Sequence, residues 1–138
     1  MARTLQRFDS FQPAAILALT CGAAWWIKMG VIAGLGEDSP IVDVFYLLGL
    51  ATLVLAGGAI AWTSLRGRAS WIRGLAAIVG AFLAWMLHQV MDAVGDAIVP
   101  GNGWFQEESS VWLTASLALV AGAGLLALAR RPTGSASA

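Results

Sequence analysis

The sequence has few charged residues for its length. Of 138 residues, 12% are charged and 59% are hydrophobic, and the mean hydropathy is +0.76. A soluble globular domain carries roughly 25% charged residues, so this composition excludes one. Basic and acidic side chains balance at eight each, which excludes a strongly basic nucleic-acid-binding protein. The composition instead predicts an all-α protein that crosses a membrane several times.

Metal-ligating and nucleophilic side chains are equally scarce. The chain has one histidine, His88, and one cysteine, Cys21. One histidine cannot supply both axial ligands of a bis-histidine haem within one protomer, and no second histidine or cysteine is present to complete a zinc site. The sequence contains no phosphate loop or dinucleotide fingerprint, and nothing in it marks a catalytic triad. We therefore predict no catalytic residue, metal or cofactor and favour a protein that is not an enzyme, with an enzyme or redox subunit left open.

Long apolar runs are what the sequence has in abundance. About 20 predominantly apolar helical residues cross a ~30 Å hydrocarbon core. The first run continues past Cys21, further than the 7–15-residue core of a signal peptide, so we interpret it as a span. We predict four spans in a single transmembrane domain of residues 1–131, followed by a disordered cytoplasmic tail at 132–138. The spans cover residues 13–34, 42–65, 71–99 and 108–129.

The charges are segregated along the chain. Seven arginines fall in the N-terminal arm, the middle connection and the C-terminal tail: Arg3, Arg7, Arg66, Arg68, Arg73, Arg130 and Arg131. Seven acids fall near the other two connections: Glu37, Asp38, Asp43, Asp92, Asp96, Glu107 and Glu108. Only Asp9 and Lys28 break this separation. The positive-inside rule then places both termini in the cytoplasm. The arginine-rich, alanine-rich composition is typical of a GC-rich bacterial genome, so we predict a bacterial plasma-membrane protein.

Small residues at helical spacing predict how the spans pack. Without a hydrophobic drive between helices in lipid, small residues let backbones approach closely. The pattern predicts a compact antiparallel four-helix bundle with short connections. The small-residue pairs are Gly30 with Gly34, Gly57 with Ala61, Ala77 with Ala81, Gly80 with Ala84 and Ala118 with Gly122. Six of the seven tryptophans lie near span ends, where we expect an interfacial belt: Trp25, Trp26, Trp62, Trp71, Trp104 and Trp112.

The third span carries a polar stripe. On a helical wheel, His88, Gln89, Asp92 and Asp96 fall with Trp85 within about 100° of arc. An ionisable side chain costs at least ~2.5 kcal/mol at the bilayer centre, so such groups normally face a bundle interior or a water-filled cavity. We therefore predict that the third helix is central. Its inward face would be formed by Ala77, Ala81, Trp85, His88 and Asp92.

Lys28 lies at a depth comparable with Asp92 and is the partner that the sequence suggests for this carboxylate. An opposite charge within ~4–6 Å would keep both groups ionised. The alternative is that Lys28 snorkels to the headgroups and pairs with nothing. His88 and Asp92, spaced i and i+4, can also hydrogen-bond each other. That geometry suits a proton relay, a metal ligand and a structural contact equally well.

Two classes of function remain open. The first is a non-enzymatic membrane module or accessory subunit, with the charges of the third span as internal contacts or a partner surface. The second is a proton- or cation-coupled transporter or channel that uses His88, Asp92, Asp96, Gln89 and Lys28. Four spans form little of a pathway, so the second class requires a homo-oligomer. The partners we expect are the lipid bilayer and either further copies or a larger membrane complex.

Overall fold

The computed structural model describes residues 10–101 and 103–130, and helices make up nearly all of them. In chain order the helices are α1 (Gln12–Leu35), α2 (Pro40–Ser64), α3 (Ser70–Ile98), the single turn α4 (Trp104–Glu107) and α5 (Ser109–Arg130). The four long helices are each long and apolar enough to cross a membrane. The all-α fold with four helices of membrane-spanning length, expected from the sequence, is confirmed. The direction of crossing stays a prediction, and Arg3, Arg7, Arg131 and the predicted tail at 132–138 lie outside the described residues.

Proline and glycine set the helix ends. α1 and α2 each carry a proline in the first turn, Pro13 and Pro40, where the missing backbone N–H would have had no helical partner. Gly36 follows α1 with a φ of 87°, a conformation that glycine adopts without steric cost. Gly67 turns the chain between α2 and α3 with a φ of 82°. The connections are therefore short, and consecutive long helices lie side by side.

The four long helices form a square in the order α1, α2, α3, α5, with α1 and α3 each packed against both α2 and α5. Neighbours run antiparallel. Trp25, in the second half of α1, stacks on Tyr46 near the start of α2, and Phe11, before α1, lies under Arg66, just after α2. The predicted antiparallel arrangement of the helices is thus present in the structure.

Small residues make the closest helix contacts. A side-chain carbon on Gly57 would overlap the backbone oxygen of Gly80, and one on Gly80 would overlap that of Gly57, so α2 and α3 touch backbone to backbone. The predicted pair Gly30 and Gly34 makes no such close contact, because no neighbouring atom lies within 4 Å of a side-chain carbon added to either residue. α1 instead meets α5 at Gly22, where an added side-chain carbon would overlap the side chain of Leu119 and the backbone oxygen of Ala115.

The prediction that the third helix is central was wrong: α1 is the most buried long helix and α3 the most exposed. On α3 only His88 and Gly95 are buried, whereas Trp85 and Asp92 are exposed. The reason is that close packing of α3 depends on a stripe of small residues. His88 lies nearly in line with that stripe, whereas Gln89, Asp92 and Asp96 lie about 100° around the helix from it, so His88 is buried and the other three turn outward when the stripe docks. The stripe residues are Ala77, Gly80, Ala84 and Gly95.

Candidate functional site

The charges of the described chain gather at opposite ends of the bundle. The end that holds the α1–α2 and α3–α5 connections, called the acidic end here, contains Glu37, Asp38, Asp43, Asp92, Asp96, Glu107 and Glu108. The other end, the basic end, contains Arg66, Arg68, Arg73 and Arg130. At the basic end, Arg73 donates from Nε to the carbonyl of Trp62 at 3.2 Å and stacks over its indole at 4.3 Å. The buried lysine and histidine, Lys28 and His88, lie toward the acidic end.

One cluster at the acidic end draws on all four long helices. We call it the Lys28 cluster; its members are Trp25, Lys28, Tyr46, His88, Glu108 and Thr114. Lys28, on α1, is only 5% exposed. Its ammonium forms an ion pair with the carboxylate of Glu108, the residue just before α5, and lies 5.2 Å from the centre of the Tyr46 ring. Two attractive contacts, a counter-ion and an aromatic face, therefore compensate the buried cation.

Three aromatic rings, those of Trp25, Tyr46 and His88, contact one another beside this ion pair, and Trp25 stacks on Tyr46. Trp25 is completely buried and donates from its indole nitrogen to the backbone carbonyl of Tyr46 at 3.0 Å. The centre of its ring lies 4.8 Å from that of His88 and 6.1 Å from that of Tyr46. A side-chain carbon on Gly49 would overlap the Trp25 indole, so this glycine makes room for the ring. The expectation that Trp25 belongs to an interfacial belt was wrong, because the ring fills the bundle core.

His88 reaches from α3 to α5. Its Nδ1 lies 3.4 Å from the hydroxyl of Thr114, and the imidazole also hydrogen-bonds the backbone of Ser110. The side chain is 5% exposed. Both polar contacts of the ring are therefore made with α5, and the ring connects the α3 and α5 sides of the bundle.

The pairing predicted for Lys28 does not form. Its partner is Glu108, and no ion pair joins Asp92 to any residue in the described ranges. Lys28 does not snorkel either, because its ammonium is buried and paired. His88 uses α5 for its hydrogen bonds instead of Asp92 one turn along α3. Of the five predicted site residues, the structure brings Lys28 and His88 into one cluster and leaves Gln89, Asp92 and Asp96 exposed on α3.

Sequence reasoning missed Glu108, Tyr46, Trp25 and Thr114 as members of this cluster. From the sequence, Glu108 is only one of the seven acids that lie near two of the connections. The signal that could have found it is depth. Glu108 lies at the start of the fourth apolar run and Lys28 near the end of the first, and with two spans between them both fall at the same end of the bundle. Tyr46 is the only tyrosine of the chain, but no local pattern marks it as a partner of α1.

Towards the basic end, the interior becomes apolar. The buried hydrophobic core beside and below the cluster consists of Cys21, Trp25, Met29, Leu53, Val111, Ala115 and Ala118. A cleft of about 400 Å³ between the helices is lined almost wholly by apolar atoms. Its lining residues include Ala18, Leu53, Leu117 and Ala121. No group of three or more His, Cys, Asp or Glu side chains in residues 10–101 and 103–130 is arranged to hold a metal ion. The buried Lys28 and His88 thus lie toward one end of the described bundle, and the buried polar side chains nearer the other end are the hydroxyls of Thr52 and Thr63.

No protein-family model matches the chain, and neither a curated protein nor a solved structure matches it significantly.

Proposed function

We propose that this chain is a small multi-pass protein of a bacterial plasma membrane that works without catalysis, as a membrane module or accessory subunit of a larger assembly. The observation that carries the proposal is the closure of the Lys28 cluster. Lys28 is paired with Glu108, and His88 contacts Thr114 and Ser110. Because these polar groups satisfy one another, they act as contacts that hold the four helices in register at the acidic end.

The apolar interior supports the same proposal. An ion crossing the bundle would need polar ligands along its whole path, because an uncompensated charge in a low-dielectric interior is very costly. Below His88 the described core presents the side chains of Cys21, Leu53, Ala115 and Ala118, and the buried hydroxyl of Thr52 donates to carbonyls of its own helix. A single protomer therefore offers an ion no obvious route from one end of the bundle to the other.

The proposed orientation puts the basic end in the cytoplasm, following the positive-inside rule. Single-cysteine variants in a Cys21→Ser background test it. A cysteine replacing Asp38, in the exposed α1–α2 connection, should react with a membrane-impermeant maleimide added outside intact cells. A cysteine replacing Arg68, in the exposed α2–α3 connection, should react only after the cells are lysed. The opposite pattern would reverse the orientation.

The alternative function is homo-oligomeric, proton- or cation-coupled transport. One observation favours it: Gln89, Asp92 and Asp96 stand exposed on α3 and are not used inside the protomer. Several copies arranged with these faces together would line a polar path that a single copy lacks. Lys28 and His88, being engaged in the closed cluster, would take no part in such a path.

Flux through reconstituted liposomes separates the two functions. Purified protein would be placed in liposomes carrying a pH-sensitive dye, and proton entry would be measured under an imposed pH gradient and membrane potential. We expect the parent protein and Asp92→Asn to behave like protein-free liposomes. Repeating the measurement with a Na⁺ or K⁺ gradient and a cation-sensitive dye covers the cation case. Flux that requires the parent protein and disappears in Asp92→Asn would overturn the proposal and establish transport.

A further inference from the structure

The exposed faces of the four long helices differ in one respect. On α1, α2 and α5, the exposed side chains away from the helix ends are apolar, as a lipid-facing surface requires. On α3 they include Gln89 and Asp92. The helix with the least contact inside the protomer therefore carries the polar groups for which lipid is least suitable.

These polar groups belong to a single line along α3, which we call the exposed seam. Its residues follow one another at alternating intervals of four and three, and every one is exposed: Trp71, Leu75, Ile78, Phe82, Trp85, Gln89, Asp92 and Asp96. This is the a/d spacing by which one helix packs along another with knobs-into-holes contacts, and most transmembrane helix pairs cross with that geometry. The parallel line beside it is exposed and wholly apolar: Val79, Leu83, Met86, Val90, Ala93 and Ala97. The second line suits lipid, whereas the seam combines aromatic and polar groups.

The polar end of the seam lies near the edge of the hydrocarbon. Arg73 is anchored at the basic end by its contacts with Trp62, and Asp92 follows 19 residues later on α3, about 28 Å along the helix axis. A hydrocarbon core is ~30 Å thick. With Arg73 at one boundary, Asp92 reaches the other boundary and Gln89 lies one turn inside it. The amide of Gln89 therefore needs a partner within the membrane.

The charge of the seam decides which kind of helix can cover it. Two copies in one membrane would pack their α3 helices in parallel and place Asp92 against Asp92, and like charges at that distance oppose association. The protein's own lysine at this level, Lys28, is already paired with Glu108 and buried. A cation that pairs with Asp92 would therefore come from another molecule.

We propose that the exposed seam of α3 binds a transmembrane helix of another membrane protein, and that this helix presents a lysine or arginine opposite Asp92. The proposal rests on the accessory-subunit function and names the chemistry of its partner. The basic side chain pairs with Asp92 at the membrane edge. The amide of Gln89 bonds a polar group one turn deeper, and Phe82 and Trp85 supply apolar contact along the rest of the helix.

The test uses synthetic transmembrane peptides in phosphatidylcholine liposomes. Three 24-residue leucine-alanine peptides would differ at one position level with Asp92, carrying lysine, leucine or glutamate. Energy transfer from a donor on the protein to an acceptor on the peptide measures binding. We expect the lysine peptide to bind about tenfold more tightly than the leucine peptide and the glutamate peptide to bind no better than leucine. Asp92→Asn should remove the advantage of lysine.

Two further variants localise the contact. Phe82→Ala lies in the exposed seam and Leu83→Ala in the neighbouring apolar line, and both side chains are more than half exposed. Phe82→Ala should weaken binding of the lysine peptide severalfold, whereas Leu83→Ala should leave it unchanged. Equal loss in the two variants would overturn the assignment of the seam.

Three other outcomes would overturn the proposal. Equal binding of the lysine and leucine peptides would show that Asp92 does not select a cation. Energy transfer between two copies of the protein that the lysine peptide does not displace would assign the seam to self-association. Loss of the lysine advantage when phosphatidylethanolamine is added would assign Asp92 to lipid amines. The accessory-subunit function has its own test. Asp92-dependent ion flux in the liposome assay would overturn that function, whatever the result of the peptide-binding measurements.

Discussion

Lys28 and Asp92 are opposite charges near the same end of one bundle, and their surroundings differ completely. Lys28 lies on α1, the most enclosed long helix, where a carboxylate and an aromatic face compensate its charge. Asp92 lies on α3, the most open one, without an ion-pair partner among the described residues. The difference shows that a charge in an apolar sequence can be enclosed and paired within its own fold or left exposed on the surface of the bundle. Substitutions at the Lys28 ion pair should therefore lower the unfolding free energy far more than substitutions at Asp92.

The largest effect is expected at the buried ion pair. Glu108→Gln leaves the ammonium of Lys28 buried without a counter-ion, and we expect it to cost about 3 kcal/mol of unfolding free energy. Lys28→Met should cost less, about 1–2 kcal/mol, because the Glu108 side chain it leaves behind is 21% exposed and water can reach it. The double variant should recover much of the loss. Unfolding of the four proteins in one detergent, at matched pH and salt, provides the cycle, and additive single effects would contradict direct coupling.

Close contact between α2 and α3 should be the next most sensitive feature. In Gly57→Ala the added methyl would overlap the backbone oxygen of Gly80, and relief requires the two helices to separate. We expect a loss of about 2 kcal/mol by overpacking. Gly30→Ala on α1 is the matched control, since nothing lies within 4 Å of its added methyl. It should be neutral or slightly stabilising, and equal losses in both variants would argue against backbone-to-backbone packing.

Two adjacent tryptophans on α1 provide a smaller contrast. Trp25→Phe removes the hydrogen bond to the Tyr46 carbonyl and part of a fully buried ring, so we expect it to cost about 1–2 kcal/mol. Trp26 is 42% exposed, and Trp26→Phe should cost under ~0.5 kcal/mol. Thermal unfolding in detergent measures both. A larger loss at Trp26 would mean that a partner or an ordered lipid covers that face.

The smallest effect on the isolated protein is expected at the exposed seam. Asp92→Asn and Gln89→Leu remove groups that make no ion pair or hydrogen bond recorded within the described ranges, so each should change unfolding free energy by under ~0.5 kcal/mol. Thermal unfolding in detergent measures these small changes. Val90→Ala, on the same turn of α3, is the apolar control. Destabilisation above 1 kcal/mol by Asp92→Asn alone would show that Asp92 serves its own fold after all.

The helices themselves could be predicted from the sequence because their signals are local. Apolar length is a property of each run, and Pro13, Pro40 and the glycines at the connections act within one or two residues of where they stand. Gly57 and Gly80 each belong to a predicted small-residue motif, but so do Gly30 and Gly34, which have nothing within 4 Å, so the motifs alone did not identify the close pair. Lys28 and His88 could be selected as polar groups in apolar runs, and both belong to the cluster.

The rest depended on the rotation and depth of whole helices. A helical wheel groups His88 with Asp92 on one face, but it cannot say which edge of that face meets a neighbour. Docking of the small-residue stripe on α3 turned His88 inward and left Asp92 outside. The choice of Glu108 for Lys28 likewise followed from where the chain re-enters the bundle before α5.

By itself, then, the sequence determined that four long apolar helices form, where they end, and which few polar residues lie within them. Only the tertiary structure decided that α1 is enclosed and α3 exposed, that Lys28 pairs with Glu108, and that Gln89 and Asp92 face outward. The physical reason is that hydropathy and turn propensity act along the chain. The orientation of a helix in a bundle is set by which surfaces can approach most closely, and that depends on all four helices together.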